Sequence, residues 1–171
     1  MLDRLQAGDV VFVVNEMAGW SPKIRGQEDV EKLRKFDNAV RLFSKQLAGK
    51  NISLMMLHGL PFAREAGCDP VVAVPQWFSP RGRQDCHLPS KIQTLERRKD
   101  LNKMLMSLQS NGLIRVVDLL DIFCPGTECS YQLEDSTIVY RDEYSHPSNE
   151  ISAKSGPSVT SALRKAFRLE N

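Results

Sequence analysis

The residues of this chain whose types and spacing best fit chemistry are two acids and a histidine in one short loop. Asp142 and Glu143 stand four and three residues before His146, in the segment Tyr140-Arg-Asp-Glu-Tyr-Ser-His-Pro-Ser148. A carboxylate that holds a histidine ring stabilises the imidazolium that forms when the ring accepts a proton. Either acid can therefore make His146 a general base. The alternative is an ordinary surface histidine in a polar loop.

An acid and a base are two parts of a serine-type acyl-transfer site, and the third part is a nucleophile. Neither Gly-x-Ser-x-Gly nor Gly-Asp-Ser occurs in the 171 residues. The similar segment Gly8-Asp9-Val10 has valine in place of serine, and it leads into an apolar run instead of following one. None of the four cysteines has the sequence setting of an activated thiolate. The sequence thus predicts an incomplete triad.

Four further side chains are weaker candidates. Asn15 ends the first apolar run, where its amide can donate to an oxyanion, although turn initiation is the commoner use of asparagine. His58 follows the second apolar run without an acid beside it, which favours packing or substrate contact over catalysis. Trp20 and Trp77 are candidates for lining a sugar or acyl pocket, with core packing as the alternative.

The four cysteines lie in polar loops rich in proline and glycine. Their spacing does not fit paired zinc ligands and no histidine pair accompanies them, so no metal site is predicted. Local disulfides Cys68–Cys86 and Cys124–Cys129 are the simplest of three connectivities, and free thiols are the alternative. Disulfides would indicate an oxidising compartment, although the chain shows no signal-peptide pattern.

Length and composition indicate one ordinary globular domain over residues 1–171. The net charge of +2 is too small to favour binding to nucleic acid or to an anionic membrane surface. No apolar run approaches the roughly 20 residues of a membrane-spanning helix. The sequence predicts no cofactor.

Apolar periodicity predicts strands that alternate with helices. The predicted strands are residues 9–15, 52–57, 113–117 and 138–140, and the predicted helices are 27–48, 90–110 and 158–169, with a turn or short helix at 118–123. The first strand is a β-branched run typical of a strand buried on both faces. Ser90 is expected to cap the second helix, with Ile92, Leu95, Leu101, Leu105 and Leu108 on its inner side. Residues 59–89 form a long loop without period.

This order predicts an α/β domain of three layers, with a mostly parallel sheet and helices on both faces. Functional residues of such a sheet lie outside the carboxyl ends of its strands, where Asn15, His58 and residues 142–148 are expected. The strand and turn that normally open a sheet of this kind have no counterpart before residue 9. The fold is therefore expected to be incomplete at its N-terminal side.

The ordered set of motifs resembles the SGNH-hydrolase-like domain of membrane sugar O-acyltransferases of the acyltransferase-three type. Leu5-Gln-Ala-Gly-Asp-Val-Val11 looks like that family's L-x-x-G-D-x-V segment before a strand, and Leu113–Asp121 looks like its v-x-v-v-D strand. Val139-Tyr-Arg-Asp142 with His146-x-Ser148 looks like its l-Y-r-D-x-x-H-L-S loop. The paired cysteines occur in the matching order.

The resemblance implies an SGNH, flavodoxin-like fold and serine-dependent O-acyl transfer, of the acetyl type, from an acyl donor to a carbohydrate. His146 would be the base and Asp142 its partner. The family's acid stands two or three residues before the histidine, which makes Glu143 the alternative acid. The resemblance also implies disulfides and a place on the extracytoplasmic face of a membrane, as part of a protein with a membrane acyltransferase domain.

The family's Gly-Asp-Ser block lies upstream of the segment that matches Gly8–Val11. Residues 1–171 are therefore expected to be a partial SGNH-like domain that lacks the nucleophile and has little or no triad-based enzymatic activity by itself. The alternatives are a carbohydrate esterase domain and a non-catalytic remnant that binds carbohydrate or serves a structural role.

Overall fold

The computed structural model describes residues 2–14, 27–61, 73–74, 77, 88–142 and 145–166. After a 3₁₀ turn at Leu2–Arg4, the elements are β1 (Val10–Val13), α1 (Gln27–Ala48), β2 (Ser53–Leu57), α2 (Lys91–Arg97), α3 (Lys99–Ser110), β3 (Arg115–Val117), α4 (Leu120–Phe123) and α5 (Asn149–Ala166). The chain forms two compact units. The first comprises Met1–Gly59, Arg97–Asp118 and Ser158–Asn171, and the second comprises Leu60–Glu96 and Leu119–Pro157.

The first unit contains a parallel three-stranded sheet with the strand order β1-β2-β3. Leu54 and Met56 of the central strand β2 pack in one apolar cluster with residues of α1 and α3. Met55 and Leu57 alternate with them along the strand and are also buried. Both faces of β2 are therefore covered, as expected for the middle strand of an α/β sheet, and the predicted fold class is confirmed.

Strand β1 departs from the expectation of burial on both faces. Its residues Val10–Val13 are all half-buried, and Val14 beyond them is exposed. Among the described residues β1 pairs with β2 alone, which makes it an edge strand here. A β-branched run thus identified the strand correctly but gave the wrong burial, because edge and central strands share that composition.

Helix α1 has the predicted bounds and its apolar stripe faces the core. Val40 and Leu47 are buried in the cluster, and the partly buried Leu33, Phe36 and Phe43 pack against it. Val30, three residues before Leu33, is exposed at the first turn. Asn51, three residues beyond the helix end, adopts the left-handed conformation with a φ of 56°.

The predicted single helix over residues 90–110 is two helices that meet at Arg98. The Ser90 cap is confirmed, since Gln93 N donates to Ser90 Oγ and Ser90 N donates to Gln93 Oε1, both at 3.2 Å. The inner side of the first half was predicted wrongly, because Ile92 and Leu95 are exposed whereas Thr94 is buried. Leu101, Leu105 and Leu108 of the second half are buried as predicted.

Arg98 links the carboxyl ends of two strands in the first unit. Its guanidinium donates to both carboxylate oxygens of Asp118, at 2.9 and 2.7 Å, and to the carbonyl oxygen of Gly59 at 3.1 Å. Asp118 directly follows β3, and Gly59 lies two residues after β2. The Arg98 side chain is 7% exposed and that of Asp118 is 40% exposed. The buried Arg98 guanidinium therefore needs the Asp118 carboxylate to compensate its charge, whereas the carboxylate is also in contact with solvent.

The last two predicted elements differ from the prediction, the strand in its pairing and the helix in its start. Residues 138–140 do not extend the parallel sheet; they form the isolated antiparallel bridges Gln132↔Ile138 and Tyr140↔Pro147 in the second unit. The final helix begins at Asn149 and not at residue 158, and it continues through Pro157. A Gly-Pro pair normally favours a helix start beyond it, which explains the late prediction. Within the described ranges, none of the helices combines the length and apolar character of a membrane span.

Replacing Asp118 by alanine should destabilise the first unit by about 3 kcal/mol, because a buried guanidinium loses its partner charge. The matched control is Glu31→Ala, which breaks the bidentate but exposed pair with Arg34 and should leave stability unchanged. Urea unfolding followed by circular dichroism measures both. Equal stability of the Asp118 variant and the wild-type protein would contradict this account of Arg98.

Candidate active site

The loop that carries the predicted acid Asp142 and the predicted base His146 is closed at its two ends by backbone contacts. Tyr140 and Pro147 form an antiparallel bridge on either side of residues 141–146. Directly inside the bridge, Arg141 N donates to the carbonyl oxygen of His146 at 2.9 Å. The two ends of a six-residue loop are therefore held side by side, which brings residues 142 and 146 together.

A backbone hydrogen bond within the loop joins Asp142 to the residue before His146. Ser145 N donates to the carbonyl oxygen of Asp142 at 3.1 Å. Ser145 has a φ of 61°, in the left-handed region that non-glycine residues adopt rarely. This hydrogen bond brings the residue before His146 close to Asp142.

Asp142 holds both the backbone and the ring of His146. The ring Nδ1 lies 2.7 Å from Asp142 Oδ2, and the backbone N of His146 donates to Asp142 Oδ1 at 3.2 Å. An ionised carboxylate can only accept hydrogen bonds, so Nδ1 carries the proton and Nε2 carries the basic lone pair. This is the tautomer and orientation of the histidine in a serine-type triad. The arrangement can therefore accept a proton at Nε2 while Asp142 stabilises the imidazolium.

Both partners are accessible from solvent. The His146 side chain is 57% exposed and the Asp142 side chain is 33% exposed. Arg141, also exposed, adds a positive charge with its Nε 3.7 Å from Asp142 Oδ2. At this exposure the contact between Asp142 and His146 contributes little to stability.

Ser148 fixes one end of the loop to helix α5. Its backbone N donates to Val139 O at 2.9 Å, and its hydroxyl donates to Ile138 O. The Ser148 hydroxyl oxygen also accepts the backbone N–H of Ile151 at 3.1 Å, as the side chain of a helix N-cap does. Glu150 in the first helical turn accepts the N–H of Ile138 at 2.8 Å. The serine of the His-x-Ser motif is thus buried and caps helix α5.

Tyr140 fixes the other end of the loop. Its ring is buried between Phe123, at a centroid distance of 5.9 Å, and Tyr131, at 6.2 Å. Its hydroxyl donates to the carbonyl oxygen of Pro61. Burial raises the pKa of the Tyr140 phenol well above its ordinary value, so the hydroxyl stays protonated and keeps donating.

The predicted disulfide between Cys124 and Cys129 is present, with a Cα–Cα distance of 4.7 Å. Both cysteines are buried, and the loop they close provides Thr127 O as the acceptor for the N–H of Lys91 at the start of α2. Cys68 and Cys86 lie outside the described residues. Among the residues that are described, no group of three or more His, Cys, Asp or Glu could hold a metal ion.

His58 is a core residue of the first unit. It is 1% exposed, and its Nε2 lies 3.2 Å from Asn102 Oδ1. Burial lowers the pKa of the His58 imidazole, and the nearby positive charge of Arg98 lowers it further. A neutral, buried ring paired with an amide fits packing, which is one of the two roles that the sequence favoured over catalysis.

The other sequence candidates have different outcomes. Asn15, Glu143 and Trp20 lie outside the described residues, so their predicted roles stay predictions. Trp77 is described and is 92% exposed, which contradicts a place in the core. Asp142 satisfies the geometry expected of the acid even though it stands four residues before the histidine.

Sequence reasoning missed Tyr140, Ser148 and Arg98 as positioning side chains. A serine followed within two residues by an acid is a helix-start signal, which could have identified the cap at Ser148. No local signal could have found the partner of Tyr140, which lies 79 residues earlier in the chain. The same holds for Arg98, whose acceptors lie 39 residues before it and 20 residues after it.

Stability should fall in acid because of His58. Its pKa is lowered in the folded protein, so the unfolded chain binds a proton more readily once the pH falls below about 6.5. The contribution is fully present above that pH and decreases below it, by at most about 1.4 kcal/mol per pH unit. Urea unfolding across this range should show a weaker pH dependence for His58→Gln than for the wild-type protein. A His58→Gln curve parallel to that of the wild type would refute the assignment.

Comparison with known proteins supplies the family. A family model described as the SGNH domain, fused to AT3 domains, matches residues 2–160. No curated protein sequence matches this chain. A crystal structure of a candidate acylhydrolase from Bacteroides fragilis is similar with a TM-score of 0.46 and 15% sequence identity, over 92% of this chain. The chain spans 62% of that protein's length.

The match extends over nearly all of the chain, from the 3₁₀ turn before β1 into the second half of α5. It includes the Cys124–Cys129 loop and the loop of Asp142 and His146. The chain belongs to the family of SGNH domains that are fused to AT3 domains.

Proposed function

We propose that this chain supplies the acid and the base of a serine acyl-transfer site, with His146 as the general base and Asp142 as its partner. The observation that carries the proposal is the 2.7 Å contact between His146 Nδ1 and Asp142 Oδ2, which leaves Nε2 as the basic nitrogen. Membership of a family with hydrolase-like and acyltransferase-type members supports the same chemistry.

The reaction takes place in two steps at one carbonyl carbon. A serine oxygen attacks the acyl donor while His146 Nε2 accepts the serine proton, and the leaving group takes that proton as the acyl-enzyme forms. An acceptor hydroxyl then attacks the acyl-enzyme, gives its proton to Nε2, and releases the serine, which regains the proton. Asp142 stabilises the imidazolium in both steps. The side-chain amide of Asn15 is the proposed donor to the oxyanion.

We propose that the serine lies outside these 171 residues. Neither nucleophile motif occurs in the sequence, and Ser148, the serine nearest in sequence to His146 on its C-terminal side, is occupied as a helix cap. In this proposal the site is complete only in a longer protein that carries the Gly-Asp-Ser block. Water as acceptor would give the esterase reaction at the same site.

The proposed acceptor is a carbohydrate hydroxyl and the proposed acyl group is acetyl. The fusion of family members to AT3 domains supports a membrane acyltransferase partner that delivers the acyl group. An exposed indole at Trp77 suits stacking against a sugar ring. The Cys124–Cys129 disulfide supports an extracytoplasmic location, because such bonds persist in oxidising compartments.

In the longer protein, His146→Ala and Asp142→Asn should each lower acyl transfer to carbohydrate by about 10³- to 10⁴-fold, since the base or its tautomer is lost. The matched control is Asp135→Asn, which removes an exposed carboxylate of the same unit that is paired with Lys154. That control should keep wild-type activity. Transfer of radiolabelled acetyl groups to carbohydrate measures all three variants.

Full activity of the His146→Ala protein would refute the proposal. Loss of activity in the Asp135→Asn control as well would show that the assay reports folding and not chemistry, and it would remove the support for Asp142.

The 171-residue chain on its own should hydrolyse p-nitrophenyl acetate no faster than its His146→Ala variant, because the nucleophile is missing. The coding sequence ahead of Met1 should contain an in-frame Gly-Asp-Ser and apolar segments of roughly 20 residues each. Robust hydrolysis that depends on His146 would contradict an external serine. Stop codons without such a block would favour the non-catalytic remnant.

A further inference from the structure

We propose that Tyr140 is a positioning residue of this site, and that its buried hydroxyl controls where the His146 ring stands. The inference rests on the proposed function, since it assigns the residue that holds the general base. Tyr140 does not touch the reacting atoms and acts through the loop that it precedes.

The position of Tyr140 in the chain gives it this influence. It stands two residues before Asp142, and its backbone forms the bridge with Pro147, directly after His146. Any displacement of Tyr140 therefore moves both ends of the loop together. Asp142 and His146 lie on one six-residue loop, so a shift of the two loop ends changes the direction of both side chains towards a substrate.

Several described side chains of the loop reach solvent. His146 and Arg141 are exposed, and Asp142 is partly exposed. One end is held by Ser148, which caps helix α5. The other end depends on the buried ring of Tyr140.

The ring is held on two sides. Phe123 and Tyr131 contact it in tilted and edge-on geometry, and both are buried. Phe123 directly precedes Cys124, and Tyr131 follows Cys129 by two residues. The disulfide therefore joins the two chain segments that carry the contacting rings, which limits their separation. This packing fixes the plane of the Tyr140 ring.

The hydroxyl fixes how far the ring reaches into the unit. It donates to the carbonyl oxygen of Pro61, a contact between segments 79 residues apart. A phenylalanine would fill the same apolar space without a polar atom to satisfy, so packing alone does not require tyrosine here. The hydrogen bond adds direction, because its strength depends on the distance and angle to one acceptor.

The test compares two variants that lose the same atom from the same aromatic cluster. In the longer protein, Tyr140→Phe should lower kcat for acyl transfer about 10-fold with KM changed less than about 2-fold, because misplacement of a catalytic group affects the chemical step. Tyr131→Phe is the matched control and should keep kcat within about 2-fold, since Tyr131 does not border the loop. Tyr140→4-aminophenylalanine restores a donor and should recover most of the lost kcat.

A second readout is independent of activity and uses the 171-residue chain. Nitrogen-15 NMR of the imidazole ring reports which nitrogen of His146 carries the proton. Tyr140→Phe should reduce the excess of the Nδ1–H form over the Nε2–H form at least about 2-fold, because the contact with Asp142 is less well held. Tyr131→Phe should leave the ratio unchanged.

The outcomes separate this inference from the proposed function. If His146→Ala keeps activity, the proposed function fails whatever Tyr140 does. If His146→Ala is inactive but Tyr140→Phe matches the wild type in kcat and in tautomer ratio, only the positioning role is overturned. Equal losses in Tyr140→Phe and Tyr131→Phe, or no recovery with 4-aminophenylalanine, would also overturn it, because they indicate general loosening of the cluster.

Discussion

The buried side chain of Ser148 joins the segment at Ile138 and Val139 to the first turn of helix α5, and the loop of the candidate site extends between these two elements. One hydroxyl donates to a carbonyl and accepts a helix N–H, while the backbone of the same residue pairs with Val139. Without these hydrogen bonds of Ser148, helix α5 would lose its N-cap and one end of the loop would no longer be held in place. The contact between Asp142 and His146 is exposed, so its geometry depends on these buried neighbours.

The two units are organised by different physical means. The first is built on a parallel sheet whose central strand is buried on both faces. At the carboxyl ends of β2 and β3, Arg98 donates hydrogen bonds to the Gly59 carbonyl oxygen and to the Asp118 carboxylate. The described part of the second has isolated bridges, a disulfide, an aromatic cluster around Tyr140 and a helix cap in place of an extended sheet. Covalent and polar contacts of this kind help to hold a loop in one conformation.

The sequence was sufficient wherever a local pattern determines the structure. Helix α1 and strand β2 have their predicted bounds to within one residue, because each has a strong apolar period or run. The sequence also predicted an acid beside His146 but left Asp142 and Glu143 as alternatives, and the structure shows the contact with Asp142. The break at Arg98, the antiparallel bridge at Tyr140 and the early start of α5 depend on partners distant in the chain or on a cap that competes with a Gly-Pro signal. Periodicity does not contain that information.

The central claim is that His146 activates a serine carried by the same protein outside these 171 residues. Mass spectrometry of the longer protein, mixed rapidly with p-nitrophenyl acetate, tests this most directly because it locates the acyl-enzyme. The account predicts an acetyl adduct on the serine of a Gly-Asp-Ser block, formed at least about 10³-fold more slowly in the His146→Gln protein. An adduct within residues 1–171, or one that forms equally fast without His146, would contradict it.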